Sequence, residues 1–182
     1  MNTAAYTLRK ALPTDASAIS DLIARSIRQL GLQDYTPDQI ELALTGAFGL
    51  DTQLIQDGTY YVAELAGSVV GCGGWSYRRT LFGSDARQQR DASRLDPAVD
   101  AARIRAFFVD PAAARRGIGS AILARCEADA FAQGFSRTEL MATLPGVRLY
   151  AVRGYVGRDS IQHPLGQGIS IEFIPMSRTL RA

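Results

Sequence analysis

Arg115-Arg116-Gly117-Ile118-Gly119-Ser120 concentrates two cations and two glycines ahead of an apolar run, a combination suited to holding an anion. The first N–H groups of a helix lack internal partners and sit at the positive end of its dipole, so phosphate oxygens can accept from them. A glycine has no Cβ, which lets a diphosphate approach the backbone. From the residues alone, a tight strand-to-helix turn with solvated arginines explains the run equally well, because a short G-x-G is a weak signal. Tyr150 offers a second chemistry, a phenol that is protonated at neutral pH and able to give up its proton. The competing reading of Tyr150 is a core aromatic on a short helix.

The elements that must position these groups follow from periodicity. Ile104, Ala106 and Phe108 alternate with Arg105, Phe107 and Val109 as in a buried strand, and Asp110-Pro111 ends it. Ile118, Ile122, Cys126 and Ala130 then recur every four residues beside Leu123, which predicts a helix from Gly117 to Gly134. Tyr150 lies in a shorter helix opened by Pro145 and closed by Gly154. Upstream, Tyr6 to Lys10 reads as a strand. A helix follows Pro13-Thr14-Asp15 with Ile19, Leu22, Ile23, Ile27 and Leu30 on one face, and a second starts at Thr36-Pro37-Asp38-Gln39 with a capping box. Leu32 to Tyr35 between them reads as a solvent-facing loop. From Thr59 the period is that of strands, with a hairpin at Ala66-Gly67. Gly71, Gly73 and Gly74 there signal a bulge or a close approach. Trp75 and Tyr77 are expected in the core. Thr80 to Ala101 is a long connection of the kind that forms lids and binding loops. Strands are expected again at Thr138 to Thr143, Tyr155-Val156 and Ile169 to Ile174.

Composition bounds the partners. The 182 residues suit one domain, residues 1–182, and a formal charge of +2 argues against nucleic acid or an anionic membrane as partner. Two cysteines are too few for a disulfide framework and fit a reducing cytoplasm, while one histidine cannot build a Cys/His zinc cluster. No apolar run reaches spanning length, and Met1 to Ala5 lacks the basic start of a secretion signal.

Val109-Asp110-Pro111 followed by Arg116-Gly117-Ile118-Gly119-Ser120 resembles the strand end and pyrophosphate loop of the GNAT superfamily of N-acetyltransferases. The leading Gln/Arg of that loop pattern falls on Ala114. Leu149-Tyr150-Ala151-Val152-Arg153-Gly154-Tyr155 resembles the F-Y-x-x-x-G-F signature near the family's carboxyl end, with Pro145 where many members have asparagine. The resemblance implies an α/β (α+β) fold: a mixed, mainly antiparallel central sheet flanked by helices, with the strand before the loop splayed from its neighbour. It further implies that Phe108 and Val109 offer backbone groups to pantetheine and thioester, and that Arg115, Arg116, Gly117, Ile118, Gly119 and Ser120 surround the pyrophosphate. Acetyl-coenzyme A is then the cosubstrate, without a metal, and the acceptor is the amine of a small molecule or peptide. A homodimer stays open.

An amine attacks a thioester only when neutral, and the leaving thiolate needs a proton. Tyr150 is the expected donor. Asp110, Glu139 and Glu64 are candidate bases, since the strand before the loop has no acid. The alternative is a non-catalytic acyl-coenzyme A sensor on the same fold. A nucleotide-binding enzyme fits worse, because no G-K-S/T follows the glycines. Arg103 and Arg105 share a strand face; facing the cleft they would suit an acceptor with a carboxylate or phosphate, and otherwise they would pair with Asp96, Asp100 or Glu139.

Overall fold

The strand expected from Arg103 to Val109 lies in the middle of the sheet, so both of its faces are covered. The structure is a computed structural model that describes residues 6–86 and 90–181. Met1 to Ala5, residues 87–89 of the long connection and Ala182 lie outside the described residues. The strands are β1 (Thr7–Lys10), β2 (Tyr60–Leu65), β3 (Ser68–Ser76), β4 (Ala102–Val109), β5 (Arg137–Thr143), β6 (Val156–Gly157), β7 (Ile161–Gly166) and β8 (Ile169–Thr179). They pair in the order β1-β2-β3-β4-β5-β8-β6, with β7 also on β8. Every named pairing is antiparallel except the parallel β4–β5 contact.

Helices cover both faces. On one side lie α1 (Ala16–Leu30), α2 (Pro37–Ala43) and α3 (Thr52–Gln56), whose Ile19, Leu22, Ile23, Ile40 and Leu54 pack with Tyr60, Val62, Ile171 and Phe173. On the other lie α4 (Ile118–Ala132) and α5 (Val147–Val152); Ile118, Ile122, Leu123, Cys126 and Tyr150 pack there with Trp75, Ile104 and Leu140. This is the mixed, mostly antiparallel α/β architecture expected from the sequence. Among the described residues no helix is long and apolar enough to cross a membrane.

Local chemistry sets the joints. Ala66 and Gly67 turn the β2–β3 hairpin at φ 49° and 78°, the positive values that a two-residue turn of matching twist requires. At α2 the Thr36 hydroxyl accepts from the Gln39 N–H, and the Gln39 side chain accepts from the Thr36 N–H. Two elements escape the sequence reading: α3, too short to show a period, and β7, which is mostly exposed. The long connection contains no helix and no named strand among its described residues, yet it is tied down. Arg90 bonds Asp51 at 2.9 Å and Asp85 at 3.1 Å, Leu95 N–H donates to the Tyr77 carbonyl, and Leu95 is buried.

Gly71 permits the closest approach of α4 to the sheet. A Cβ on Gly71 would meet Ile118 Cγ2 at 2.5 Å. Gly71→Ala is therefore expected to lower stability by about 1–3 kcal/mol through overpacking. Denaturant unfolding of the single and double variants checks this, because the penalty must shrink in an Ile118→Ala background.

Candidate functional site

The parallel pairing of β4 with β5 stops almost where it starts: Ala102 faces Thr138, Arg103 faces Glu139, and no later pair exists. The cause lies inside β4. Its register against β3 steps from Gly74↔Arg105 to Cys72↔Phe108, so Ala106 and Phe107 together oppose Gly73. Ala106 sits at φ 55°, its carbonyl accepts from the Tyr60 hydroxyl at 3.2 Å, and the Phe107 ring lies over Gly73, where a Cβ would meet it at 2.7 Å. An extra residue in one strand bends it and increases its twist. β4 thus swings away from β5 after Arg103 and leaves a gap.

The gap opens into a cavity of about 520 Å³. Phe108 and Val109 from β4 line it, as do Arg115, Gly117, Ile118, Gly119 and Ser120 from the following loop and helix start. Ser26 to Gly31 at the end of α1, except Arg28 and Gln29, form part of the facing wall, and Tyr150 closes one side. Arg116 is half-buried and off this wall. Arg115 and Gly117 both have positive φ, 65° and 81°, and Gly117 brings no side chain to cap α4. The first-turn N–H groups are left for an external acceptor. Gly119 lets α5 close on α4, since a Cβ there would stand 3.1 Å from Leu149 Cδ2.

A second pocket of about 60 Å³ lies beyond the bulge. Phe107, Phe108 and Tyr150 line both spaces. Tyr150 is 7% exposed, with its ring edge-on to Phe107 and Tyr155. Among the described residues its hydroxyl has no hydrogen-bond partner. Burial, and secondarily the nearby Cys126 thiol, holds its phenol well above the ordinary tyrosine value.

The candidate bases fall elsewhere. Asp110 is paired with Arg25 at 3.1 Å and accepts from Ala112 N–H; Glu64 is paired with Arg9 at 3.0 Å; Glu139 is paired with Arg103. None lines either space, and no described Asp or Glu does. Arg105 does line the second pocket, but its partner is Asp51 from the start of α3 rather than Asp96 or Asp100. Both groups are buried, and the other Asp51 oxygen is held by Arg90. Arg105 Nη2 also donates to the Gly83 carbonyl at 3.3 Å, while Nε has no acceptor among the described residues.

Leu32, Gln33 and Asp34 are exposed as expected, and Tyr35 alone departs from the solvent-facing reading of that segment. It is 5% exposed, its hydroxyl donates to the Glu172 carbonyl at 2.8 Å, and it accepts from Leu144 N–H at 2.8 Å. Burial pushes its pKa up to about 12. One phenol therefore joins the end of α1, strand β8 and the turn that leads to Tyr150. Cys72 and Cys126 are free and buried, with burial raising both thiols (Cys72 to about 12), which leaves them poor nucleophiles. Among the described residues no group of three or more His, Cys, Asp or Glu is placed to hold a metal.

Residues 25–155 match the model of the Acetyltransferase (GNAT) family. Among solved structures, the chain is similar to a GCN5-related N-acetyltransferase from Rhodopseudomonas palustris, with a TM-score of 0.72 and 23% identity over 99% of each chain. The PaiA N-acetyltransferase from Thermoplasma acidophilum, solved with coenzyme A, has a TM-score of 0.64 at 11% identity, covering 96% of this chain and 99% of its own. The yncA protein of Salmonella typhimurium, solved with its cofactor acetyl-CoA, has a TM-score of 0.64 at 16% identity, covering 97% of this chain and 95% of its own. No curated protein matches the chain in sequence.

Removing the Tyr35 hydroxyl leaves a buried donor and acceptor unpaired. Tyr35→Phe is expected to cost about 1–3 kcal/mol, read as a lower denaturant midpoint, whereas Tyr6→Phe serves as a tyrosine control with no change.

Proposed function

Because the chain belongs to the GNAT acetyltransferase family, we propose that it moves an acetyl group from acetyl-coenzyme A to a primary amine of a small molecule or polypeptide by direct attack on the thioester. The observation that carries this reading is the wall shared by the two spaces, where Phe107, Phe108 and Tyr150 meet. A donor in the large cavity and an acceptor in the small pocket would meet beside one protonated phenol.

In this proposal the N–H groups at the start of α4, from Gly117 to Ser120, bind the pyrophosphate. Arg115 adds charge at the rim, and Arg116 adds it from off the wall. Backbone groups of Phe108 and Val109, freed from β5 by the splay, hold pantetheine and orient the thioester. Burial keeps the Tyr150 proton in place, so the phenol can deliver it to the departing thiolate as the C–S bond breaks. With no carboxylate of the described residues on either wall, the amine enters already neutral, and the proton lost after attack passes to water. A hydroxyl without a partner in the described structure favours this reading over a silent sensor. We further propose that residues 1–182 work as one domain in a reducing compartment such as the cytoplasm, supported by the two free buried thiols.

Tyr150→Phe preserves the ring and is expected to lower kcat by about 10²–10⁴-fold while calorimetry finds the acetyl-coenzyme A Kd little changed. Unchanged turnover, read by free-thiol release, would return Tyr150 to a packing role. The pH profile follows the same logic. Without an enzyme base, kcat/KM should rise with pH until the acceptor's own pKa is passed. Because the Tyr150 pKa is raised, the acid stays protonated and no falling limb appears near the ordinary tyrosine value of about 10. At the loop, Gly117→Val is expected to weaken coenzyme A binding by forcing a branched side chain into positive φ, whereas Ala114→Gln keeps or improves it. Equal affinity of wild type and Gly117→Val would remove the loop backbone from the mechanism.

A further inference from the structure

The small pocket beyond the bulge has a composition unlike that expected of an anion or polycation site. Phe48, Phe82, Phe108, Phe173 and Met141 are among the side chains that line it. The rings brace one another: Phe48 meets Phe108 at 6.1 Å and Phe173 at 6.0 Å, and Phe82 meets Phe173 at 5.4 Å between centroids. Close-packed rings resist displacement, so the roughly 60 Å³ of free space is a real size limit. That volume holds a handful of water-sized probes at about 10–15 Å³ each.

Among the described residues Arg105 is the one charged side chain on the wall, and it is paired with Asp51. Asp51 pairs with Arg105 and Arg90, and Arg90 also pairs with Asp85, giving two cations and two anions in one cluster. An incoming carboxylate would be an unmatched negative charge in an aromatic enclosure, and such charges are costly to bury. An additional ammonium would face the same desolvation beside a guanidinium. The sequence-level idea that Arg103 and Arg105 receive an anionic amine therefore fails on two counts: Arg103 is paired with Glu139, and Arg105 is neutralised by Asp51.

We infer that the acceptor is a primary amine whose neighbouring group is compact and uncharged, with that group seated among Phe48, Phe82, Phe108 and Phe173. The inference rests on the acetyltransferase reading and adds its substrate class. It also accounts for the missing base. Withdrawal from bulk water beside the Arg105 guanidinium disfavours an ammonium over the free amine, which lowers the amine's pKa toward the reactive form.

The test is free-thiol release from acetyl-coenzyme A with isobutylamine, glutamate, spermidine and the bulkier benzylamine, with acetyl-coenzyme A affinity measured separately by calorimetry. Isobutylamine is expected to exceed glutamate and spermidine in kcat/KM by at least about tenfold, on the scale of discrimination that one pocket contact supplies. Phe82→Ala, in the long connection, is expected to raise kcat/KM for benzylamine relative to isobutylamine by about tenfold with the acetyl-coenzyme A Kd unmoved. Preference for glutamate or spermidine, or an unaltered benzylamine ratio in Phe82→Ala, overturns the substrate class while leaving acetyl transfer standing. Thiol release from none of the amines overturns the substrate class, and calorimetry that finds no acetyl-coenzyme A binding overturns the acetyltransferase reading together with it.

Discussion

The hydrogen bonds that β4 and β5 do not make are the constraint on which the site depends. Two parallel strands side by side would ordinarily continue their ladder, because buried backbone groups require partners. Here the ladder ends at Arg103 and Glu139, and the bulge at Ala106 is what prevents its continuation. Tyr60 meets the Ala106 carbonyl, so the bulge leaves no orphan there. Arg105, next to the bulge, is anchored through Asp51 to the start of α3 and through Arg90 to the long connection. The splay is thus held open from behind, by a hydrogen bond and a buried ion cluster, rather than by anything within the gap itself.

Absent side chains do the complementary work. Without a Cβ at Gly71, Ile118 brings the α4 start against β3; without one at Gly73, the Phe107 ring folds back over the strand. Gly119 allows Leu149 to approach, which sets α5 and therefore Tyr150 beside the cavity. Tyr35 locks the same assembly from the opposite side by bonding to Leu144 and Glu172. Local backbone choices in β3 and α4 consequently decide where one phenol stands relative to two spaces of very different size and polarity.

What the sequence reveals is what short-range physics determines. The Ala66-Gly67 turn, the Thr36 capping box, the Asp110-Pro111 strand end and the four-residue repeat of α4 each depend on neighbours in the chain, and all appear in the structure. The three glycines of β3 signal a bulge or close approach without naming the opposing residue. Tyr35 and Asp51 are illegible because their partners lie far along the chain: a loop tyrosine carries no mark of Leu144 and Glu172, and Asp51 none of Arg105. The same limit makes Arg105 look available to a substrate. Of the motif residues, Phe108, Val109, Arg115 and Gly117 to Ser120 line one cavity, and Arg116 is off its wall.

Backbone amide hydrogen exchange with and without coenzyme A addresses the central claim directly, that the splayed end of β4 and the uncapped start of α4 form one binding surface. Ligand should slow exchange in segments covering residues 107–109 and 115–120 together, leaving the far end of α4 around Asp129 to Gln133 unchanged. Protection confined to another part of the chain, or none at Gly117 to Ser120 at saturating ligand, would contradict the account.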